Sequence, residues 1–226
     1  MRTNTMSNRF GSNQFGRNHL RQRSRRGANL LEFGLVSIVL IPLVFGAISI
    51  GMRLGTNIQS TQVARDVCHM YARGIDFSKP ANQDVLFTLA QPFRVAATAG
   101  NGVVILSQVR KVYPADCAAI RGGCGNNGRH VVVHRLVFGD ARLTNSRLAS
   151  PRSGIVSRGG AIAPDDFLRD ATTALNTTIT TELFDRTSLN LTRGEVAYVV
   201  ETFTPAHETE MFGAVGTGGV YSRAIF

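Results

Sequence analysis

Apolar residues are concentrated in one stretch, residues 34–52, which contains no Asp, Glu, Lys or Arg. Its 19 residues rise about 28 Å as a helix, close to the roughly 30 Å of bilayer hydrocarbon, so the stretch predicts one membrane span. Helical patterning continues past it: Leu54, Ile58, Val63, Val67, Met70, Tyr71 and Ile75 recur at near three-to-four spacing, with Gly74 and Asp76 marking the stop. From Ala28 to Arg73 such a helix is about 70 Å long and projects well past a bilayer, which suits packing against neighbours. Pro42 removes a backbone donor in mid-span and is expected to kink or loosen the helix there. Ala47, Gly51 and Gly55, four apart, make a small-residue face that permits close helix approach, although glycine is also common in membrane helices generally.

After Phe77 the pattern changes to that of a globular domain. Residues 83–97 predict a short amphipathic helix through Val85, Leu86, Leu89 and Phe93, ended or kinked by Pro92. Residues 102–113 and 129–138 are dense in Val, Ile and Leu, and the turn-rich segment 122–128 between them predicts an antiparallel pair. Residues 140–163 read as a long polar loop whose Arg142, Arg147, Arg152 and Arg158 form a solvated surface more readily than a binding site. Asp165 or Asp166 is expected to cap a helix with apolar positions Phe167, Ala171, Leu175 and Ile179. Residues 194–204 and 220–226 read as final strands. The expected fold is α+β: a long N-terminal transmembrane helix, then a small helix-plus-antiparallel-sheet domain.

Charge refines the picture. The chain holds 25 Lys+Arg against 15 Asp+Glu, a net charge of +10, which resembles a nucleic-acid signal. Residues 1–27 alone carry seven arginines (Arg2, Arg9, Arg17, Arg21, Arg23, Arg25 and Arg26) and no acid, so 18 basic against 15 acidic residues remain beyond them, a net of +3. That modest excess gives no nucleic-acid partner much phosphate neutralisation. The leader is rich in Asn, Ser and Arg and too poor in apolar residues to fold alone. Its arginines place the N-terminus in the cytoplasm and the rest outside. A cleaved secretory signal is the competing reading, but its apolar core normally runs about 7–15 residues, and the nearest small-x-small site, Ser49-Ile50-Gly51, is poor.

At the mouth of the span the chain reads Arg26-Gly27-Ala28-Asn29-Leu30-Leu31-Glu32-Phe33. A carboxylate so near hydrocarbon costs free energy, which points to a task for Glu32. The spacing of Gly27 from Glu32-Phe33 resembles the processing site of type IV prepilins, in which a prepilin peptidase cuts after the glycine, here between Gly27 and Ala28. The cut would expose an α-amino group on Ala28 with a reference pKa of about 7.7–8.0, and Glu32, one turn away, can pair with it in its own chain or in a neighbouring subunit. The plainer reading is a first-turn glutamate complementing the helix dipole, worth about 0.3–1 kcal/mol.

Arg26-Gly27, Leu31-Glu32-Phe33, Pro42, Phe45-Gly46, Gly51-Met52-Arg53, Val63-Ala64-Arg65 and Ala72-Arg73 together resemble the N-terminal module of TadE-like minor pseudopilins of tight-adherence (Flp-type) pilus systems. Weaker echoes occur at residues 194–205 and 221–226. The resemblance implies a cytoplasmic leader over 1–27, a pilin-like helix over 28–76 and an exported domain over 77–226. It further implies an inner-membrane protein that partners with a prepilin peptidase, other pilins or pseudopilins and the assembly platform, reaches a cell-surface pilus and serves adhesion. TadF- and TadG-like relatives share the helix; the Gly27 and Glu32 pair favours a processed member.

Cys117 and Cys124 flank a Gly-rich loop outside the membrane, where a local disulfide is permitted, and Cys68 is left as a buried helical thiol. With His130 and His134 the two cysteines have Cys2His2-like spacing, but the histidines would lie about 13 Å apart along a strand, too far for one zinc ion. No hydrolase elbow, metal-binding helix or phosphate loop is present; residues 213–219 are Gly-rich without the lysine such a loop needs. Neither a catalytic set nor a cofactor is expected, and a membrane-anchored periplasmic enzyme or binding protein unrelated to pili is the alternative reading.

Overall fold

A computed structural model of the 226-residue chain describes residues 15–118, 120, 123–143, 146–185, 190–205 and 219–226. The Gly-rich segment expected at 213–219 lies outside the described residues, Gly219 excepted. The architecture is a long apolar N-terminal helix followed by a small α+β domain with a four-stranded antiparallel sheet. Two compact units divide the chain, the second running from Arg53 to Phe226.

Helix α1 spans Phe15–Ala72 and continues through Pro42. It begins inside the leader, where composition predicts nothing folded. Extending an existing helix avoids the nucleation cost, and Arg and Gln are good helix formers. Its end follows from Gly74, whose φ of +84° sets up a Schellman stop: the Gly74 N–H donates to the Tyr71 carbonyl at 3.0 Å and the Ile75 N–H to the Met70 carbonyl at 3.1 Å. Helix α2 (Pro80–Leu89) starts with proline in its first turn and stops two residues before a 3-10 turn, Gln91–Phe93, that contains Pro92.

Strands β1 (Val103–Lys111), β2 (His130–Gly139), β3 (Ala197–Pro205) and β4 (Gly219–Ile225) are ordered β2-β1-β3-β4. Period-2 alternation gives the sheet two apolar faces. Val104, Leu106, Leu136, Phe138, Val200 and Ala224 pack with Val63, Ala64, Val67, Cys68 and Tyr71 of α1 in one core. Val109, Val132, Ala197 and Val199 face a second core with Leu148, Phe167, Leu175 and Phe184 from the connections. The packed stripe of α1 begins at Ser60, whose hydroxyl meets that of Thr202 at 2.7 Å; Leu54 and Ile58, expected in it, are more than half exposed.

The helix expected from Asp165 through Ile179 is instead three pieces. Helix α4 is only Pro164–Arg169, with Ala163 at its N-cap and no side-chain cap, so neither Asp165 nor Asp166 caps it. Asp170 then accepts a bond from the Thr172 N–H at 2.8 Å and starts a 3-10 turn, and Asn176 accepts from the Thr178 N–H at 3.0 Å and caps α5 (Thr177–Thr180). Asp, Thr and Asn offer the backbone local partners that compete with a continuous helix, and here they win. One further short helix, α3 (Pro114–Cys117), follows β1.

Candidate functional site

The processing motif lies on α1. Gly27, Glu32 and Phe33 are exposed, and a Cβ placed on Gly27 would meet nothing within 4 Å. Glu32 stands four residues after Ala28, on the same helix face. Among the described residues Glu32 forms no ion pair. The apolar residues that follow are bare as well: Leu31, Leu35, Ile38, Leu43 and Ile50 are all more than 60 % exposed, far beyond what a water-facing surface carries. Ala47 and Gly51 are exposed and Gly55 half-buried, and the space beside both glycines is open, so among the described residues nothing packs against a Cβ position at either glycine. By length and composition the segment is a single-pass membrane anchor, and among the described residues one helix is long and apolar enough for that.

In the helix-and-sheet domain the structure joins Cys117 to Cys124 with a Cα separation of 5.5 Å. Asp116 steadies the first of them: its carboxylate accepts from the Tyr113 N–H at 3.0 Å and pairs with Arg193 at 3.1 Å and Arg110 at 3.2 Å. The Tyr113 amide first, and then the two guanidinium groups, hold the Asp116 carboxyl below the usual carboxylate range. Cys68 is fully buried, its Sγ 3.3 Å from the Tyr198 carbonyl. Peptide mapping without reductant should therefore recover 117 linked to 124, with Cys68 alkylated only after denaturation. Free, alkylatable thiols at 117 and 124 in the native protein would contradict this.

The zinc arrangement fails on the face of the sheet as well as on distance. A β-bulge opposite Gln108/Val109 makes Val132 pair with Val109 and His134 with Gln108, which leaves Val133 extra. The bulge puts His130 and His134 on opposite faces. His130 stacks on Phe184 with ring centroids 4.2 Å apart, while His134 Nδ1 meets the Tyr71 hydroxyl at 2.8 Å on the α1 side. Among the described residues no group of three or more His, Cys, Asp or Glu is placed to hold a metal.

Burial holds His134 below its ordinary value. The unfolded chain therefore takes up the proton first, so stability present above about pH 6.5 is lost as pH falls through the lower folded value. Unfolding midpoints recorded from pH 7.5 to 5 should fall on acidification, and the fall should shrink in His134→Asn; equal slopes would remove His134 as the cause.

A buried cluster escaped the sequence reading. Glu201, in β3 and 1 % exposed, accepts from the Tyr221 hydroxyl at 2.6 Å, the Ser146 hydroxyl at 2.6 Å and the Arg147 N–H at 2.9 Å. The Arg147 guanidinium lies 4.4 Å over the Tyr221 ring, so it is not one of the merely solvated arginines. Burial, and next the Glu201 charge, push the Tyr221 hydroxyl pKa up. All partners are satisfied within the cluster, which ties the 140–150 connection to β3 and β4 as a structural lock. Its only trace in the sequence is that Glu201 and Tyr221 fall within the two weaker echoes of the N-terminal resemblance.

Comparison of the chain with protein-family models, with curated proteins and with solved structures finds no match. The class that stands is a single-pass membrane-anchored protein with a small helix-and-sheet domain.

Proposed function

We propose that the protein is a TadE-like minor pseudopilin of a tight-adherence pilus: a substrate of a prepilin peptidase rather than an enzyme. It is made as a precursor, held in the inner membrane with its N-terminus cytoplasmic and its domain periplasmic, cut between Gly27 and Ala28, and passed to the assembly platform and other pilins. The observation that carries this is Gly27, Glu32 and Phe33 together, all exposed at the opening of a bare apolar helix. Exposure fits both steps. A peptidase must reach the Gly27 peptide, and a neighbouring subunit must reach Glu32. The open face of Ala47, Gly51 and Gly55 fits close approach of a second helix in such an assembly.

Two arms test the proposal. Reporter fusions after Phe77 should be active only with a reporter that works outside the cytoplasm, and cytoplasmic activity there would reverse the orientation. Expression with and without a prepilin peptidase should convert a precursor into a chain shorter by residues 1–27 only when the peptidase is present. Identical products in both cells would favour an anchored periplasmic enzyme or binding protein unrelated to pili.

A further inference from the structure

Strand β2 is an edge of the sheet, and only part of that edge is covered. The turn at residues 156–162 lies along it: the Arg135 N–H donates to the Gly160 carbonyl at 2.7 Å and the Ile162 N–H to the Val133 carbonyl at 2.9 Å. Gly160 makes this approach possible, since its φ is +88° and a Cβ there would stand 2.7 Å from the Arg135 carbonyl and from His134 Cε1. The cover then stops. Val137, next in the alternation, turns its N–H and C=O away from β1, and among the described residues neither meets a partner.

Val137 and Arg135 line a cleft of about 570 Å³, within the range of about 300–1,000 Å³ usual for ligand sites. Its polar wall is one-sided in charge: Arg135 and Arg158, with the hydroxyls of Ser150, Ser153 and Ser157, and no acid among the described lining residues. Arg135 is 91 % buried, since 9 % of it is exposed, and its one hydrogen bond from the guanidinium among the described residues goes from Nη1 to the Ala149 carbonyl. Among the described residues no carboxylate pairs with it. Glu201, which lies on the same face of the sheet, already has its oxygens taken by Ser146, Arg147 and Tyr221. A guanidinium so buried and so thinly partnered is costly, and an incoming carboxylate would offset that cost with a bidentate pair.

We propose that this cleft receives an extended segment of another polypeptide carrying a carboxylate: its backbone pairs with the open edge at Val137 while its acid reaches Arg135 from below and Arg158 from the rim. The apolar floor beside them, Leu136 and Phe138, suits the alternating side chains of an added strand. This holds whether or not the chain enters a pilus.

The test uses the full chain in detergent and two dye-labelled strand-forming peptides that differ only in a central Glu or Gln, read by fluorescence anisotropy. The Glu peptide should bind about tenfold tighter. Arg158→Glu should remove about that tenfold preference, Arg158 being exposed and free of packing duties. Val137→Pro takes away an outward N–H without touching the bonds to β1, and it should weaken both peptides alike by about fivefold at unchanged unfolding temperature. The proposal is overturned if neither peptide binds at millimolar concentration, if the two bind equally, or if N-acetylglutamate amide displaces the Glu peptide at the peptide's own concentration. That last result would make the cleft a small-carboxylate site, with no role for the strand edge.

Discussion

Glu201→Ala is expected to destabilise the domain by about 3 kcal/mol, because it strands the Tyr221 and Ser146 hydroxyls and the Arg147 amide where only 1 % of the original side chain met water. Glu201→Gln keeps the shape and one strong acceptor, so its loss should be about half as large. Tyr221→Phe removes a single donor and should cost about 1–2 kcal/mol, and combined with Glu201→Ala the two should be markedly less than additive. Denaturant unfolding of the full chain in detergent gives all four values. A fully stable Glu201→Ala protein would mean that water replaces the cluster at no cost and that the 140–150 connection is not locked by it.

The second large effect concerns the N-terminal motif, where two residues are expected to fail in different ways. A bulky residue at Gly27 should leave the precursor uncut with all seven leader arginines, because the scissile site must accept the side chain before the peptide. The helix itself should tolerate the change, since the space around Gly27 is open. Glu32→Ala should still be cut, yet support piliation poorly, because the α-amino group of Ala28 would lack its carboxylate in low dielectric. Glu32→Asp should fall between them, its charge kept but drawn back by about one methylene. Intact mass separates the first failure from the second, and pilus counts measure the second.

Much of this molecule was legible because its signals are local. The stop of α1 follows from one glycine, Gly74, and its Schellman geometry, and the first two strands follow from runs dense in Val, Ile and Leu on either side of a turn-rich segment. The Gly27 and Glu32 motif is linear, so the fold added only its exposure. What stayed hidden depends on contacts far apart in the chain. The sheet order brings β3 beside β1 across 85 intervening residues, 112–196, and no local pattern encodes that. Val133 looks like any strand valine, yet as the extra residue of a bulge it turns His130 and His134 to opposite faces. Nothing near Glu201 in the sequence marks it as buried, because its partners Tyr221 and Ser146 lie 20 and 55 residues away. The broken helix after Pro164 was misread for the opposite reason: its apolar spacing is helical, but Asp170 and Asn176 supply better local bonds than the next turn would.

The central claim is that the chain is cut after Gly27 and works from Ala28 onward, and N-terminal sequencing with intact mass of the wild-type protein, purified from cells that carry a prepilin peptidase, tests it most directly. The account predicts a mature chain that begins Ala28-Asn29-Leu30-Leu31-Glu32, with the glutamate in fifth place. A chain that keeps residues 1–27, or one cut after Gly51 as a secretory signal would be, contradicts it.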